Sequence, residues 1–443
     1  MLESSNTSVD AVFKGYAQQG FLPEGLPLER LPSPYYKPWE DIAGQLPALI
    51  QTGQVRDMIE SLPVCSVEHL ETEQEWRRAY VIMGYLSHAY IWGGDKPKEV
   101  SIQPFTSPQP SIRSRGSRTL TKQNNQILPP CISTPFLEIS SHLEVPACAT
   151  YSGLTLWNFK APSPGTDIAD PDNLAVQTSW TGTKDEEWFM LISVAVEAKG
   201  IRLISQMHEA IKAVIANDAD LLTSLLYGFA DGLSDLTLTL KRMYEHNRPA
   251  VFFHELRPFL AGSKNMGPAG LPRGVYYDVG DGVERPENWK QLSGGSNAQS
   301  SLIQALDIFL GIKHSDSASG ENFIEEMRKY MPGPHRRFLQ SLAEISNVRA
   351  YIQASADKST EKEAYNAAVN ELKAFRDTHI QMVTRYIVMA AKQPSPLKQH
   401  TGRVNLATAS QATEKEHHLA GTGGTDLIPF LKRTRDTVQD AKC

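Results

Sequence analysis

In the stretch NELKAFRDTHIQMVTRYIV, residues 370–388, a histidine stands on an apolar helical stripe. Leu372, Phe375, Met382, Val383 and Tyr386 recur at three- and four-residue steps, and His379 falls on the same face. An imidazole in that place has two readings. The commoner is a core histidine satisfied by one hydrogen bond. The other is a metal ligand, because a neutral imidazole in a dry apolar pocket is what a haem iron takes as its protein ligand.

Arg257 is the second residue with chemical potential. It sits in RPAVFFHELRPFLAG among Phe252, Phe253, Leu256, Phe259 and Leu260. It is either a surface residue snorkelling past aromatics or a buried charge, and a buried guanidinium requires an acidic partner. A bound carboxylate would satisfy its fork with two parallel hydrogen bonds.

Other catalytic patterns are missing from the sequence. There is no HExxH, no paired Cys/His spacing for zinc, no GxxxxGK[ST] and no GxSxG. GTGGT at 421–425 is a weak match to any phosphate loop.

The elements that must position these residues read as helices. Helical periodicity is expected at about 39–59, at 67–92 with Leu70, Trp76, Tyr80, Met83 and Tyr90 inward, and repeatedly from about 185 onward. A helix should open at Asn217 or Asp218, and another within 296–312 at Ser296 or Asn297. The first 60 residues are punctuated by proline, and residues 95–130 are rich in Ser, Pro, Gln and Arg, so a surface insertion is expected there. A Gly-rich irregular stretch fills 261–297. Few strand patterns occur, so the fold class is mainly α.

Composition narrows the function classes. With 443 residues, 41% apolar, 21% charged and a formal charge of −6, the chain has no basic excess for nucleic acid. It has no run long enough for a membrane span and no basic-then-apolar leader. Cys65, Cys131, Cys148 and Cys443 are scattered, which points to a reducing, cytoplasmic setting.

Eight segments, in order, resemble the indoleamine 2,3-dioxygenase family of haem enzymes. They are YLSHAYIWGG (85–94), LEVPACATYSGLTLWNF (143–159), FMLISVAVE (189–197), FFHELR (252–257), GGSNAQSSLIQALDIFLGI (294–312), MRKYMPGPHRRFL (327–339), FRDTHIQMVTRYI (375–387) and GTGGTDL (421–427). The resemblance implies a two-domain helical fold, a small N-terminal domain (1–178) capping a larger one (179–443), with one haem b between them. It implies that His379 is the proximal iron ligand and that Asp307 and Arg376 form an ion pair holding its helix. Gly295 and Ser296 would lie over the haem edge. Tyr151, Phe189 and Ser193 would line the oxygen and indole pocket, with Phe252 as its aromatic wall and Arg257 as the carboxylate clamp. Thr422 and Gly423 would belong to a loop closing on substrate.

The implied reaction is insertion of O2 across indole C2–C3 of L-tryptophan or related indoleamines, giving N-formylkynurenine and feeding the kynurenine route toward NAD. An electron donor to keep iron ferrous and a monomeric state are expected. A non-enzymatic oxygen-binding or haem-sensing relative is the alternative, against which the retained Arg257 argues. Leu154 and Asn297 depart from the cysteine and alanine of the mammalian members.

Overall fold

The computed structural model describes residues 9–93, 126–314, 323–356, 359–393 and 427–443. Most of the 95–130 segment, and both Thr422 and Gly423, lie outside them. Among the described residues eight helices of nine or more residues carry the architecture. In chain order they are α1 (Glu73–Trp92), α2 (Pro130–His142), α3 (Lys184–Ala216), α4 (Ala219–Lys241), α5 (Ser301–Phe309), α6 (Gly333–Ile345), α7 (Thr360–Val383) and α8 (Leu427–Gln439). Strands are two or three residues long. Ile127 and Leu128 pair in parallel with Tyr276 and Tyr277, and Val275 pairs antiparallel with Lys290. The mainly α class is therefore what the chain adopts.

Each long helix starts where its sequence supplies a cap. Thr72 accepts from the Glu75 N–H at 3.3 Å while its hydroxyl donates to the Glu75 carboxylate at 3.0 Å, so the helix begins there and not at residue 67. Thr183 caps α3 at the Glu186 N–H, and Asp185, Glu186 and Glu187 put negative charge against its positive end. Asn217 ends α3 in the left-handed conformation (φ 54°), and Asp218 then caps α4 through the Leu221 N–H at 3.0 Å. The two candidate caps thus divide the work. Ser300, and not Ser296 or Asn297, caps α5; Ser296 caps the short 3-10 turn Asn297–Gln299.

α4 packs along α7 and against α3, and α8 closes over α7. α1 is buried over nearly its whole length, with Tyr80, Met83, Leu86 and Ala89 fully enclosed, while Trp76 at its start is half-buried and stacks on His142 at 4.0 Å. His88 of α1 acts as a neutral two-way link. Its Nδ1–H donates to the Phe259 carbonyl at 2.7 Å, and its Nε2 accepts from the Ala149 N–H at 3.1 Å. Burial pushes its pKa down to about 4. One side chain thereby ties the segment before Tyr151 to the segment after Arg257. No helix among the described residues is long and apolar enough to cross a membrane.

Candidate functional site

Among the described residues three wide, π-type turns occur, at Ser152–Leu156, Phe252–Leu256 and Thr384–Met389. All three contribute side chains to one cavity. Two of them have a local reason. Gly153 brings its turn onto the Tyr80 ring, where an added Cβ would meet Cε1 at 2.8 Å. Pro258 has no N–H to donate back into the turn that precedes it, so the regular ladder breaks just before Arg257. The third turn continues α7 directly beyond His379.

The cavity holds about 1860 Å³ of space between its walls, counting the part continuous with solvent. Tyr151 and Leu154 line it from the first turn, Phe189 and Ser193 from α3, and Phe252 and Arg257 from the second turn. Gly295 and Ser296 reach it from the loop before α5, Asp307 from α5, and Arg376 and His379 from α7. Every sequence-predicted site residue among the described ones is therefore brought to this cavity. Phe189, Phe252 and Tyr386 form a continuous aromatic wall, with ring centroids 5.0 Å apart for the first pair and 5.7 Å for the second.

His379 is partly accessible, and it faces the cavity. Among the described residues neither of its ring nitrogens has a hydrogen-bond or ion-pair partner. Burial, helped by the charge of Arg376 one turn earlier, pushes its pKa down to about 4, so the ring is neutral at pH 7. Among the described residues it lacks the hydrogen bond that the core-histidine reading requires. Arg257 is 4% exposed, with its guanidinium carbon 5.5 Å from the Phe253 ring centroid. Burial lowers its pKa to about 10, which leaves it cationic at neutral pH.

The expected Asp307–Arg376 ion pair is present: one guanidinium nitrogen lies 2.6 Å from each carboxylate oxygen. Sequence reasoning missed its third member, His314, whose Nε2 is 2.8 Å from the same carboxylate. Burial alone would raise the Asp307 pKa, but the Arg376 charge and the His314 hydrogen bond outweigh it and hold the carboxyl below its ordinary value.

A second missed group is Glu197, four residues after Ser193 on α3 and 2% exposed. Its Oε1 accepts from the Tyr151 hydroxyl at 2.9 Å and the Ser300 hydroxyl at 2.6 Å. A lone acid inside the apolar run FMLISVAVEAKG was the available signal. Ser193 itself donates to the Phe189 carbonyl at 3.3 Å.

Comparisons with known proteins identify the family. The sequence profile described as indoleamine 2,3-dioxygenase matches residues 11–441. An indoleamine 2,3-dioxygenase of Penicillium citrinum is 40% identical over 426 residues, covering 96% of this chain and 86% of its own length. The indoleamine 2,3-dioxygenase of Saccharomyces cerevisiae is 39% identical over 445 residues, covering 94% and 90%. A 6-hydroxytryptophan 2,3-dioxygenase of Fusarium equiseti is 36% identical over 424 residues, covering 95% of each.

Proposed function

The chain belongs to the indoleamine 2,3-dioxygenase family, and from that premise we propose that it converts L-tryptophan and O2 to N-formylkynurenine on a haem b cofactor. It is an oxidoreductase of the dioxygenase type. The observation that carries the finer reading is that a neutral imidazole without a partner among the described residues, His379, and a buried guanidinium, Arg257, face one largely apolar cavity.

The residues fit the cofactor. A single imidazole can anchor iron when a macrocycle supplies the remaining donors, and His379 presents a neutral ring, without a partner among the described residues, to a mostly apolar cavity. His379 would ligate the iron, and the Asp307–Arg376–His314 cluster would fix the helix that carries it. Gly295 and Ser296 would border the macrocycle. Haem supplies, when bound, the iron chemistry that activates dioxygen.

The chain's own work is binding, orientation and exclusion of water. Arg257 takes the substrate carboxylate in a charge-assisted fork, and Phe252, Phe189 and Tyr151 hold the indole. Ser193 is a neutral alcohol committed to a backbone carbonyl, so it shapes the pocket and is no base. Asp307, the one carboxylate on the wall among the described residues, is held by Arg376 and His314. Proton abstraction by the protein therefore has no candidate there. The overall change breaks indole C2–C3 and adds one oxygen atom to each carbon, with no net electrons drawn from a donor. A reductant serves only to keep the iron ferrous.

Ring-substituted tryptophans are the substrates to compare first, since one relative is a 6-hydroxytryptophan dioxygenase. The same reading makes the chain a cytoplasmic monomer of two domains, 1–178 and 179–443, acting at the head of tryptophan breakdown toward NAD. The test is N-formylkynurenine formation by haem-loaded protein with L-tryptophan and a reductant, with the Soret band recorded in the same sample. Product with the band is the expected result; a Soret band with no product from any tryptophan overturns the activity.

A further inference from the structure

Behind the cavity wall, Glu197 joins three pieces of chain that have no covalent reason to move together. It lies on α3, whose Ser193 and Val196 line the cavity. Through one oxygen, Oε1, it accepts both the Tyr151 hydroxyl and the Ser300 hydroxyl, and both of those residues line the cavity too. Ser300 is also the cap of α5, accepting from the Ile303 N–H at 3.3 Å. Nearby, the Tyr151 N–H donates to Gln299 Oε1 at 2.9 Å, and Gln299 Nε2 donates to the Gly294 carbonyl at 2.8 Å. The first turn and the loop before α5 are thus sewn together twice, and Glu197 is the stitch that fastens them to α3.

The other carboxyl oxygen is as telling. Glu197 Oε2 is buried and has no hydrogen-bond partner among the described residues. The groups facing the carboxyl are the Tyr151 phenol from the first turn and the Ser300 hydroxyl from the start of α5, and no charged side chain among the described residues acts on it. A carboxylate there would be a buried charge without a cation, whereas a carboxylic acid keeps Oε1 as acceptor for both hydroxyls and places its proton on Oε2. We propose that Glu197 is a positioning residue for the substrate cavity, a buried carboxylic acid whose Oε1 holds Tyr151 and Ser300 in the wall. Desolvation moves its pKa up to about 7, so its ionisation falls in an accessible range.

The proposal rests on the cavity being the tryptophan site, so its test has one arm with substrate and one without. With haem-loaded protein, Glu197→Ala should raise KM for L-tryptophan about tenfold, with a smaller effect on kcat and with haem content unchanged. Glu197→Gln, which keeps an Oε1 acceptor and cannot ionise, should restore most of the wild-type KM. The second arm follows thermal unfolding of the same proteins against pH, without substrate. Wild type should lose stability from pH 5 to pH 8 relative to Glu197→Gln. Parallel unfolding curves overturn the protonation state whether or not the enzyme turns over. A wild-type KM in Glu197→Ala overturns the link to the cavity. Absence of any turnover, with the Soret band present, counts against the tryptophan reading alone.

Discussion

One guanidinium nitrogen of Arg376 sits equidistant, at 2.6 Å, from both carboxylate oxygens of Asp307, and it bridges α7 to α5 one turn before His379. Both partners are largely enclosed, so each depends on the other for its charge. Asp307→Ala should cost about 3–5 kcal/mol in chemical unfolding, because it strands Arg376 in the cavity wall. Asp307→Leu paired with Arg376→Met should recover most of that loss while still weakening haem retention. Equal haem content in the double variant and wild type would show that the pair has no part in holding the cofactor helix.

Replacing Arg257 separates substrate affinity from cofactor binding. Arg257→Ala should raise KM for L-tryptophan roughly ten- to hundredfold, the worth of a charge-assisted contact, with an unchanged Soret band. Indole derivatives lacking a carboxylate should show almost no penalty. A carboxylate-free substrate that suffers equally would remove Arg257 from the clamp role.

His379→Ala should lower the haem-to-protein ratio far below one without changing the far-ultraviolet circular dichroism. Added imidazole should restore part of the Soret band, since it can occupy the space left by the ring. Full haem retention in the alanine variant would require a different ligand.

Glu197 also contributes a calculable pH dependence of stability. Its folded pKa of about 7 exceeds the ordinary 4.5, so the folded protein holds a proton that the unfolded chain releases. Stability is therefore full below pH 4.5 and falls as pH rises toward 7, by roughly 3 kcal/mol from this group. Urea midpoints for wild type and Glu197→Gln, taken at pH 5 and pH 8, give the difference directly.

Gly295 and Leu154 should be coupled. A Cβ at 295 would meet Leu154 Cδ1 at 2.4 Å and the Ala149 carbonyl at 3.1 Å. Gly295→Ala should therefore destabilise by about 1–3 kcal/mol through overpacking. Adding Leu154→Ala should cost less in that background than in wild type, by on the order of 1 kcal/mol. Additive effects in a double-mutant cycle would mean that the contact is not under strain.

What could be read without coordinates follows from the range of the forces involved. α7 was legible because Leu372, Phe375 and Met382 repeat on one face, and periodicity is a local property. The start of α5 was misplaced because the run SNAQSS offers several equivalent cap oxygens, and only the fold assigns Ser296 to the 3-10 turn and Ser300 to the helix. His88 and Glu197 lay inside apolar runs where polarity alone marked them. Their partners, Phe259, Ala149, Tyr151 and Ser300, are distant in sequence, so nothing local named them. His314 joined Asp307 for the same reason of tertiary proximity.

The three wide turns carry a further consequence for the way the chain can change. Each holds one residue more than a regular helix would need, so helical phase slips by about 100° on crossing it. Shortening the turn at Phe252–Leu256 by a single position would swing the side chains of Arg257–Leu260 about a quarter-turn around the helix axis. Substitutions can therefore tune this pocket gradually, whereas an insertion or deletion at residues 252–256 would re-aim Arg257 and Leu260 in one step.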